Sequence, residues 1–335
     1  MKSSVLGEEL SNTQKVKTGR TTAPQQNVPK PSMLQQTITA LMIVGPLGGL
    51  IAAIVIFFGH GITLVDLLLA LIFYAITGHG VTAGYHRMIT HRAFTARRWV
   101  KIALAISGSL AFEGAVATWA AQHRRHHAYS DVTGDPHSPY IYGNSFKEKV
   151  KGAFHSHVGW LFTPQSIDVE KWAPDIAKDK DLMFISKIFP LLTIISLTLP
   201  ALLGYLFTFT AAGALGGFIW GGLVRIFLLQ HSTFAVNSAC HLWGKKPFVT
   251  REGDEARNFA PLAILSMGEN WHNWHHSVPR SARHGVRRHQ IDTTARFIWT
   301  LEKLRLVKDV HWPTKEQINS RTKITKYRLG NSDIQ

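Results

Sequence analysis

Long apolar runs separated by polar segments dominate the pattern of this chain. Residues 38–58 carry no charge, and residues 62–84 carry only Asp66, near the start of the run. The 37 residues of 188–224 are also uncharged. As one helix they would extend about 55 Å, nearly twice the roughly 30 Å of a bilayer core, so two helices must share them. The pattern predicts an all-α integral membrane protein with four transmembrane helices, at about 38–58, 62–84, 186–204 and 209–230.

We place the membrane domain at residues 36–310. The sequence patterns at the two ends of the chain differ from that of this domain. Residues 1–35 contain three prolines and no apolar period, which predicts a disordered cytosolic tail. Residues 311–335 are basic, and we expect no core after Pro313.

Two segments between the spans are predicted to build the site. The apolar run within residues 100–121 is short for a span and indicates an interfacial or re-entrant helix. Residues 128–187 are polar and mixed, and they predict a cytosolic helical cap.

The distribution of charge gives the orientation. The chain has 37 Lys and Arg and a formal net charge of +16, yet none of these residues lies in the short loops 59–61 and 204–210. Basic residues confined to one side of the spans are typical of the cytosolic side. The same distribution favours anionic headgroups or an acidic electron donor as partners and argues against nucleic acid.

Three histidine clusters carry the candidate chemistry. They are His86 with His91, then His123, His126 and His127, and finally His272, His275 and His276. Neutral imidazole is a common metal ligand, and eight imidazoles exceed the three or four protein ligands of one zinc ion. At least two metal ions are implied. On an α-helix the three imidazoles of the central cluster point the same way within about a third of a turn.

The first cluster has an unusual spacing. His86 and His91 are five residues apart, about 140° around an α-helix, which is too wide for one metal on one face. We expect a helix end that wraps a metal pair. The even number of spans returns the third cluster to the side of the first two, so all three clusters should converge.

Other polar residues are weaker candidates. Asn237 and His241 are four apart and share a helix face. His79 is interpreted as a residue that packs or supports a ligand. Five further histidines have no partner at ligand spacing and are interpreted as surface or interfacial: His60, His231, His284, His289 and His311. Cys240 is the single cysteine, so these residues offer no thiolate zinc site and no iron–sulfur cluster, and electrons must come from a partner.

The motifs together resemble a known family. They are Gly80-Val-Thr-Ala-Gly-Tyr-His86-Arg, Trp119-Ala-Ala-Gln-His123, Gly134-Asp-Pro-His137, His157-Val-Gly-Trp160, Asn237-Ser-Ala-Cys-His241 and Gly268-Glu-Asn-Trp-His272-Asn-Trp-His275-His276. Over roughly residues 65–310 the chain is similar to the integral-membrane Δ9 acyl-CoA and acyl-lipid desaturases, the stearoyl-CoA type, in their bacterial form.

The resemblance implies a di-iron centre with O2 as co-substrate. Its catalytic ligands would be nine histidines, with Asn237 reaching a metal through water: His86, His91, His123, His126, His127, His241, His272, His275 and His276. The spacing alone does not choose iron over zinc or manganese, because imidazole suits several metals.

The resemblance also implies the reaction. A cis double bond, at Δ9, enters a saturated acyl chain for unsaturated fatty acid biosynthesis at the bacterial inner membrane. Since no cytochrome b5-like domain is recognised, the donor is expected to be a separate ferredoxin, rubredoxin or cytochrome b5 with its reductase. The animal acyl-CoA enzymes carry Arg-Asp where this chain has Ala121-Gln122, which weakens the case for coenzyme A and leaves acyl-lipid substrates open.

An apolar tunnel between the spans would hold the acyl chain, and four tryptophans are candidates for its wall: Trp119, Trp160, Trp271 and Trp274. Two other functions compete with desaturation. A di-iron hydroxylase or ketolase acting on a lipid would share the ligands. A metal-ion transporter would need ionisable residues near mid-membrane, and these spans offer little besides Asp66.

Overall fold

The computed structural model describes residues 32–58, 61–163 and 167–323, which are mostly helical. In chain order the helices are α1 (Met33–Phe57), α2 (Leu64–His79), α3 (Arg98–Ser109), α4 (Val116–Tyr129), α5 (Phe146–His157), α6 (Val169–Trp172), α7 (Pro174–Ala177), α8 (Lys180–Lys187), α9 (Phe189–Thr208), α10 (Ala211–Gly216), α11 (Arg225–Leu242), α12 (His272–Ser277), α13 (Thr293–Lys303) and α14 (Lys315–Arg321). Two π-helices, Gly80–Thr90 and Gly217–Val224, continue α2 and join α10 to α11. Short 3-10 turns cover Gly159–Phe162 and Ala260–Leu262, and β1 (Thr95–Ala96) pairs antiparallel with β2 (Val307–Lys308).

Four helical segments are long and apolar enough to cross a membrane, which confirms the predicted membrane architecture. They are Met33–Phe57, Leu64–Thr90, Phe189–Thr208 and Ala211–Leu242. The second and fourth extend past the predicted ends because they continue out of the apolar zone into the polar cap. The first begins at its Ser32 cap, a few residues before the expected start, and most of the predicted N-terminal tail lies outside the described residues.

The π-helix that continues α2 corrects the expectation for the first histidine pair. The amide of His91 donates to the carbonyl of His86 at 3.1 Å, a bond between residues five apart. This wider turn brings residues five apart onto one face. The expectation that the pair is too far apart around the helix for one metal assumes an α-helix and is therefore wrong.

The chain between α3 and α4 turns back inside the bundle. The predicted single helix is broken at residues 110–115, where Phe112 and Gly114 have positive φ. The carbonyl of Leu110 accepts hydrogen bonds from Arg225 Nη1 at 2.9 Å and from Ser196 Oγ at 2.6 Å. Arg225 and Ser196 belong to the fourth and third spans, so the turn is held between them. The expectation that the spans hold little ionisable besides Asp66 is therefore corrected by Arg225.

The polar cap includes part of the C-terminal segment. Ile318 on α14 is 2% exposed and packs with Phe248, Trp274 and Val286. The expectation that the chain has no core after Pro313 is wrong for this segment. Because Trp274 belongs to α12, this small core supports the helix that carries the third histidine cluster.

Candidate metal centre

Five histidines from three sequence clusters form one group. The Nε2 atoms of His127 and His275 are 2.8 Å apart, and His86 Nε2 lies 3.0 Å from His275 Nε2. His123 Nε2 is 3.1 Å from His127 Nε2. With His91, each side chain places a ring nitrogen within 4.8 Å of the others. These residues are called the five-histidine group.

Four further histidines form a second group beside the first. His126, His241, His272 and His276 bring one ring nitrogen each within 4.8 Å of the others, and all four side chains are buried. The Nε2 atoms of His272 and His276 are 3.0 Å apart. These residues are called the four-histidine group. The predicted convergence of the clusters is confirmed, and two groups agree with the prediction of at least two metal ions.

Each of the two longer clusters divides between the groups. Helix α4 contributes His123 and His127 to the five-histidine group and His126 to the four-histidine group. On an α-helix His126 and His127 are 100° apart and lie on opposite sides of the direction of His123. The expectation that the three imidazoles of this cluster point one way is therefore only partly right. One short helix supplies both groups, which brings them close together.

Carboxylates hold three members of the four-histidine group from behind. Each Nδ1 atom lies close to an aspartate oxygen, which leaves Nε2 facing the group. The three pairs are His126 with Asp135 at 3.0 Å, His241 with Asp131 at 2.6 Å and His276 with Asp254 at 2.9 Å. A carboxylate on the other ring nitrogen fixes the tautomer and orientation of a metal-binding imidazole.

A different network stands behind the five-histidine group. Glu269 Oε2 lies 2.7 Å from His86 Nδ1 and 3.2 Å from His284 Nδ1. The other oxygen of Glu269 accepts from the buried guanidinium of Arg87, which also donates to Asp292 at 3.2 Å. The backbone amide of His284 donates to Asp292 at 2.7 Å. Orientation of His86 therefore depends on a buried network with two acids and one arginine.

The ring nitrogens of the two groups are better placed to bind a metal ion than to form hydrogen bonds with one another. The Nε2 atoms of His91, His126 and His241 are buried without a hydrogen-bond partner. Buried polar atoms normally have partners, so an unmet acceptor that faces other imidazoles indicates a cation.

Protonation favours the same conclusion. Burial, followed by repulsion from neighbouring imidazoles, holds the pKa well below its usual range for six histidines: His91, His123, His127, His272, His275 and His276. Neutral imidazole is the form that binds metals. The donor set contains nitrogen and no sulfur.

Two neighbouring cavities meet the groups. The larger, about 260 Å³, extends from α1 and the start of α9 to His123, and the smaller, about 50 Å³, reaches His86 and His272. His123, Trp119, Thr233 and Asn237 line both. The ring of Trp119 stacks on His123, with centroids 5.0 Å apart.

Two of the four tryptophans predicted for a tunnel wall lie at a cavity. Trp119 and Trp160 line the larger cavity. Trp271 instead donates from Nε1 to the Ile291 carbonyl, and Trp274 packs in the core with Phe248. These two residues support the loop and helix of the third cluster and do not line either cavity.

The remaining predicted residues have mixed outcomes. His79 packs on Phe297 with ring centroids 4.7 Å apart, as expected for a packing residue. His289 and His311 are exposed, as predicted, and His60 lies outside the described residues. Nδ1 of the half-buried His231 lies 3.0 Å from Nε2 of His157. The separation of the two residues along the sequence did not indicate this contact.

The interpretation of His284 as a surface residue is wrong. It is fully buried, and its ring centroid lies 4.6 Å from that of His275. The four carboxylates behind the histidines are not among the predicted site residues. Two of them have a signal in the sequence: Asp135 belongs to the Gly-Asp-Pro-His turn motif, and Glu269 forms a single Glu-x-x-His motif with His272. Asp131 and Asp254 come from loops whose paths local spacing does not reveal.

Comparison with known proteins agrees with this arrangement. The fatty acid desaturase family matches residues 62–304. A hex-5-enoyl-[acyl-carrier protein] acetylenase of Moorena producens is 37% identical over 278 residues, which cover 82% of this chain and 86% of that protein. An sn-1 stearoyl-lipid 9-desaturase of Anabaena variabilis is 37% identical over 74% of this chain and 85% of that protein.

A probable acyl-CoA desaturase of Schizosaccharomyces pombe is 35% identical over 70% of this chain and 46% of that protein. The family match covers the smaller cavity and all nine histidines of the two groups. The chain belongs to the fatty acid desaturase family, and it is a membrane oxidoreductase that acts on fatty acyl chains.

Proposed function

We propose that this desaturase inserts a cis double bond at Δ9 of a saturated acyl chain, with O2 and a di-iron centre. The observation that carries the proposal is the pair of histidine groups at the wall of a cavity between the spans. Two relatives named 9-desaturases, from Anabaena variabilis and Synechocystis, support the position of the bond.

The nine histidines would hold two iron ions, one in each group, with Asn237 at the edge between the groups and the cavity. Nitrogen ligands without sulfur also suit zinc and manganese, so the choice of iron rests on the redox chemistry of the family. When bound, the metal pair would activate O2 for removal of two hydrogens from adjacent methylenes. Overall, one acyl chain, one O2, two electrons and two protons give one double bond and two waters.

The residues of this chain orient the substrate and the ligands. Asp131, Asp135 and Asp254 keep the proton on Nδ1 of their histidines, so that Nε2 stays free. The flat face of Trp119 against His123 places an apolar wall beside the reacting carbons. A narrow cavity excludes water and fixes one carbon pair at the centre, which is how a saturated chain acquires a defined position of attack.

The carrier of the acyl chain is a separate matter. The relatives act, by name, on chains attached to acyl-carrier protein, to a lipid and to coenzyme A. Gln122 lines the larger cavity, and with Ala121 it replaces the charged pair of the animal coenzyme A enzymes. An acyl-lipid carrier is therefore favoured over coenzyme A.

The orientation follows from charge. The loops between α1 and α2 and between α9 and α10 lack Lys and Arg, which favours a cytosolic cap and active site in a bacterial inner membrane. A separate soluble donor, such as a ferredoxin, a rubredoxin or cytochrome b5, would then reach the cap from the cytosol.

The test is product analysis in a host that lacks unsaturated fatty acids. The chain is expressed with a ferredoxin and its reductase, and total fatty acids are converted to methyl esters for gas chromatography and mass spectrometry. We expect a new cis monoene whose fragments place the bond at Δ9. A bond at another position would correct the regiochemistry, whereas a hydroxy acid would replace desaturation by hydroxylation.

A further inference from the structure

A third cavity lies in the cap and shares no lining residue with the two cavities at the metal centre. It is an open groove of about 570 Å³ along α13. Basic and aromatic side chains line it: Arg283, Arg288, Arg296, Lys303, Trp299 and Trp312. These six residues define the basic groove.

The basic groove has an excess of unneutralised positive charge. Residues 280–305 contain seven Arg and Lys against two acids, Asp292 and Glu302. Asp292 pairs with the buried Arg87, whereas Glu302 accepts a hydrogen bond from the neutral Trp312 Nε1 at 3.0 Å and keeps its negative charge. The four basic residues of the groove still outnumber these two acids.

Three groove cations remain available to a partner. Arg288, Arg296 and Lys303 are exposed, and within residues 32–58, 61–163 and 167–323 they form no ion pair. Trp299 beside Lys303 is 53% exposed. An exposed aromatic residue among exposed cations is typical of a protein-binding surface.

One hydrogen bond and a series of close polar contacts connect the groove to the metal centre. Asp292 lines the groove and accepts from the His284 amide at 2.7 Å. The His284 ring contacts Glu269, which lies 2.7 Å from Nδ1 of His86 in the five-histidine group. The His284 ring also lies against the tilted ring of His275 in the same group, with centroids 4.6 Å apart.

A second connection passes through α12. Nε1 of the buried Trp274 donates to the carbonyl of Arg283, a groove residue, at 3.0 Å. Trp274 directly precedes His275 and His276, one from each histidine group. An electron that arrives in the groove is therefore one or two side chains from candidate ligands of both groups.

We propose that the basic groove is the docking site of a small acidic one-electron carrier protein. The inference rests on the proposed function, because desaturation consumes two electrons and these residues, with one cysteine, hold no iron–sulfur cluster. Two molecules of reduced carrier dock in turn; each is oxidised by one electron, and the metal centre is reduced by two. Charge complementarity steers such encounters, and they weaken as salt rises.

The test measures binding directly and does not depend on turnover. The probe is an oxidised acidic [2Fe–2S] ferredoxin, titrated onto the purified protein in detergent at low and high salt. The variant R288E/R296E/K303E reverses three groove charges. The control variant K147E/K178E/K180E reverses three exposed lysines elsewhere on the cap, with the same change in net charge.

We expect the groove variant to raise the Kd for ferredoxin about tenfold or more and to lose its salt dependence, while the control stays within about twofold of wild type. Equal effects of both variants, or none, would overturn the proposal. So would unchanged ferredoxin binding combined with lost thermal stabilisation by phosphatidylglycerol, since the groove would then bind lipid headgroups.

A separate measurement isolates the proposed function. Iron-loaded wild type and groove variant are reduced with dithionite, mixed with acyl substrate and exposed to O2 for one turnover. Equal product from both is expected, because dithionite bypasses docking. No product from either would count against desaturation and leave the binding result to be judged alone.

Discussion

The two histidine groups lie side by side but are supported differently. In the four-histidine group, three of four imidazoles have an aspartate on Nδ1. In the five-histidine group, only His86 has a carboxylate, Glu269, and that acid is shared with Arg87 and His284. His123 and His127 of this group are also partly exposed, and His123 faces both cavities.

A metal enzyme must hold its metal tightly and must also let ligands move when substrates bind, and the two groups differ in these respects. A ligand fixed by a carboxylate binds its metal more tightly and with one geometry. A ligand without that support can adjust its position when the acyl chain and O2 arrive. We therefore expect the four-histidine group to retain its metal more strongly and the five-histidine group to lie closer to the chemistry.

The largest effect is expected from His126→Ala. It removes one of four nitrogens from the better-supported group, so turnover should fall below detection and bound metal should drop from about two ions per chain to about one. Metal analysis of the purified protein and fatty acid analysis check this. The control is His289→Ala, which changes an exposed histidine. An active His126→Ala enzyme that keeps both metals would contradict the ligand assignment.

A smaller effect is expected from Asp254→Asn. The carboxylate lies 2.9 Å from His276 Nδ1, and its loss should weaken metal binding in the four-histidine group by about 10–100-fold while leaving the other group occupied. Competition with a chelator measures the two affinities. Asp309→Asn, at an exposed site, is the matched control. Equal loss from both groups would remove the distinction between them.

The smallest effect on the metal centre is expected from Glu113→Gln, on the cavity side of the five-histidine group. Glu113 accepts from Trp119 Nε1 at 3.3 Å, its other oxygen is buried without a partner, and burial raises its pKa from 4.5 to about 7. Between these values the unfolded chain is ionised while the folded protein holds the proton. Stability should therefore fall as pH rises through this window, by ~3 kcal/mol in total.

Thermal unfolding in detergent between pH 5 and pH 8 measures this loss. The Gln variant should lose the dependence and be more stable than wild type at pH 8. Glu252→Gln changes an exposed acid and should behave as wild type. Identical pH slopes in wild type and Glu113→Gln would show that the carboxyl is ionised throughout.

The parts of the site predicted from sequence share a local origin. The spacing of His123, His126 and His127 on one helix predicts a metal site. The uninterrupted length of the apolar runs predicts the four spans. His241 was convincing only through the resemblance, since a single histidine four residues from Asn237 is common at helix ends.

What the sequence did not reveal depends on where the chain goes after each motif. His284 was misjudged because it has no neighbour at ligand spacing, yet the loop after α12 brings it back beside Glu269. The prediction that His86 and His91 are too far apart to share a metal is wrong because no local sequence pattern predicts a π-helix. Local periodicity assumes regular helices, and this site is built where the helix is irregular.

The buried Arg225 has a consequence for how the protein enters the membrane. An arginine at the centre of a span costs about 2.5–3.5 kcal/mol on insertion scales, and this value is an upper bound for Arg225, which lies toward the cap end of the apolar stretch. The guanidinium of Arg225 donates hydrogen bonds to the carbonyls of Leu110 and Ser196. Both residues are synthesised earlier than the fourth span. The two acceptor carbonyls are therefore already in place when the fourth span is synthesised. The guanidinium of Arg225 can form its hydrogen bonds as soon as this helix leaves the translocon.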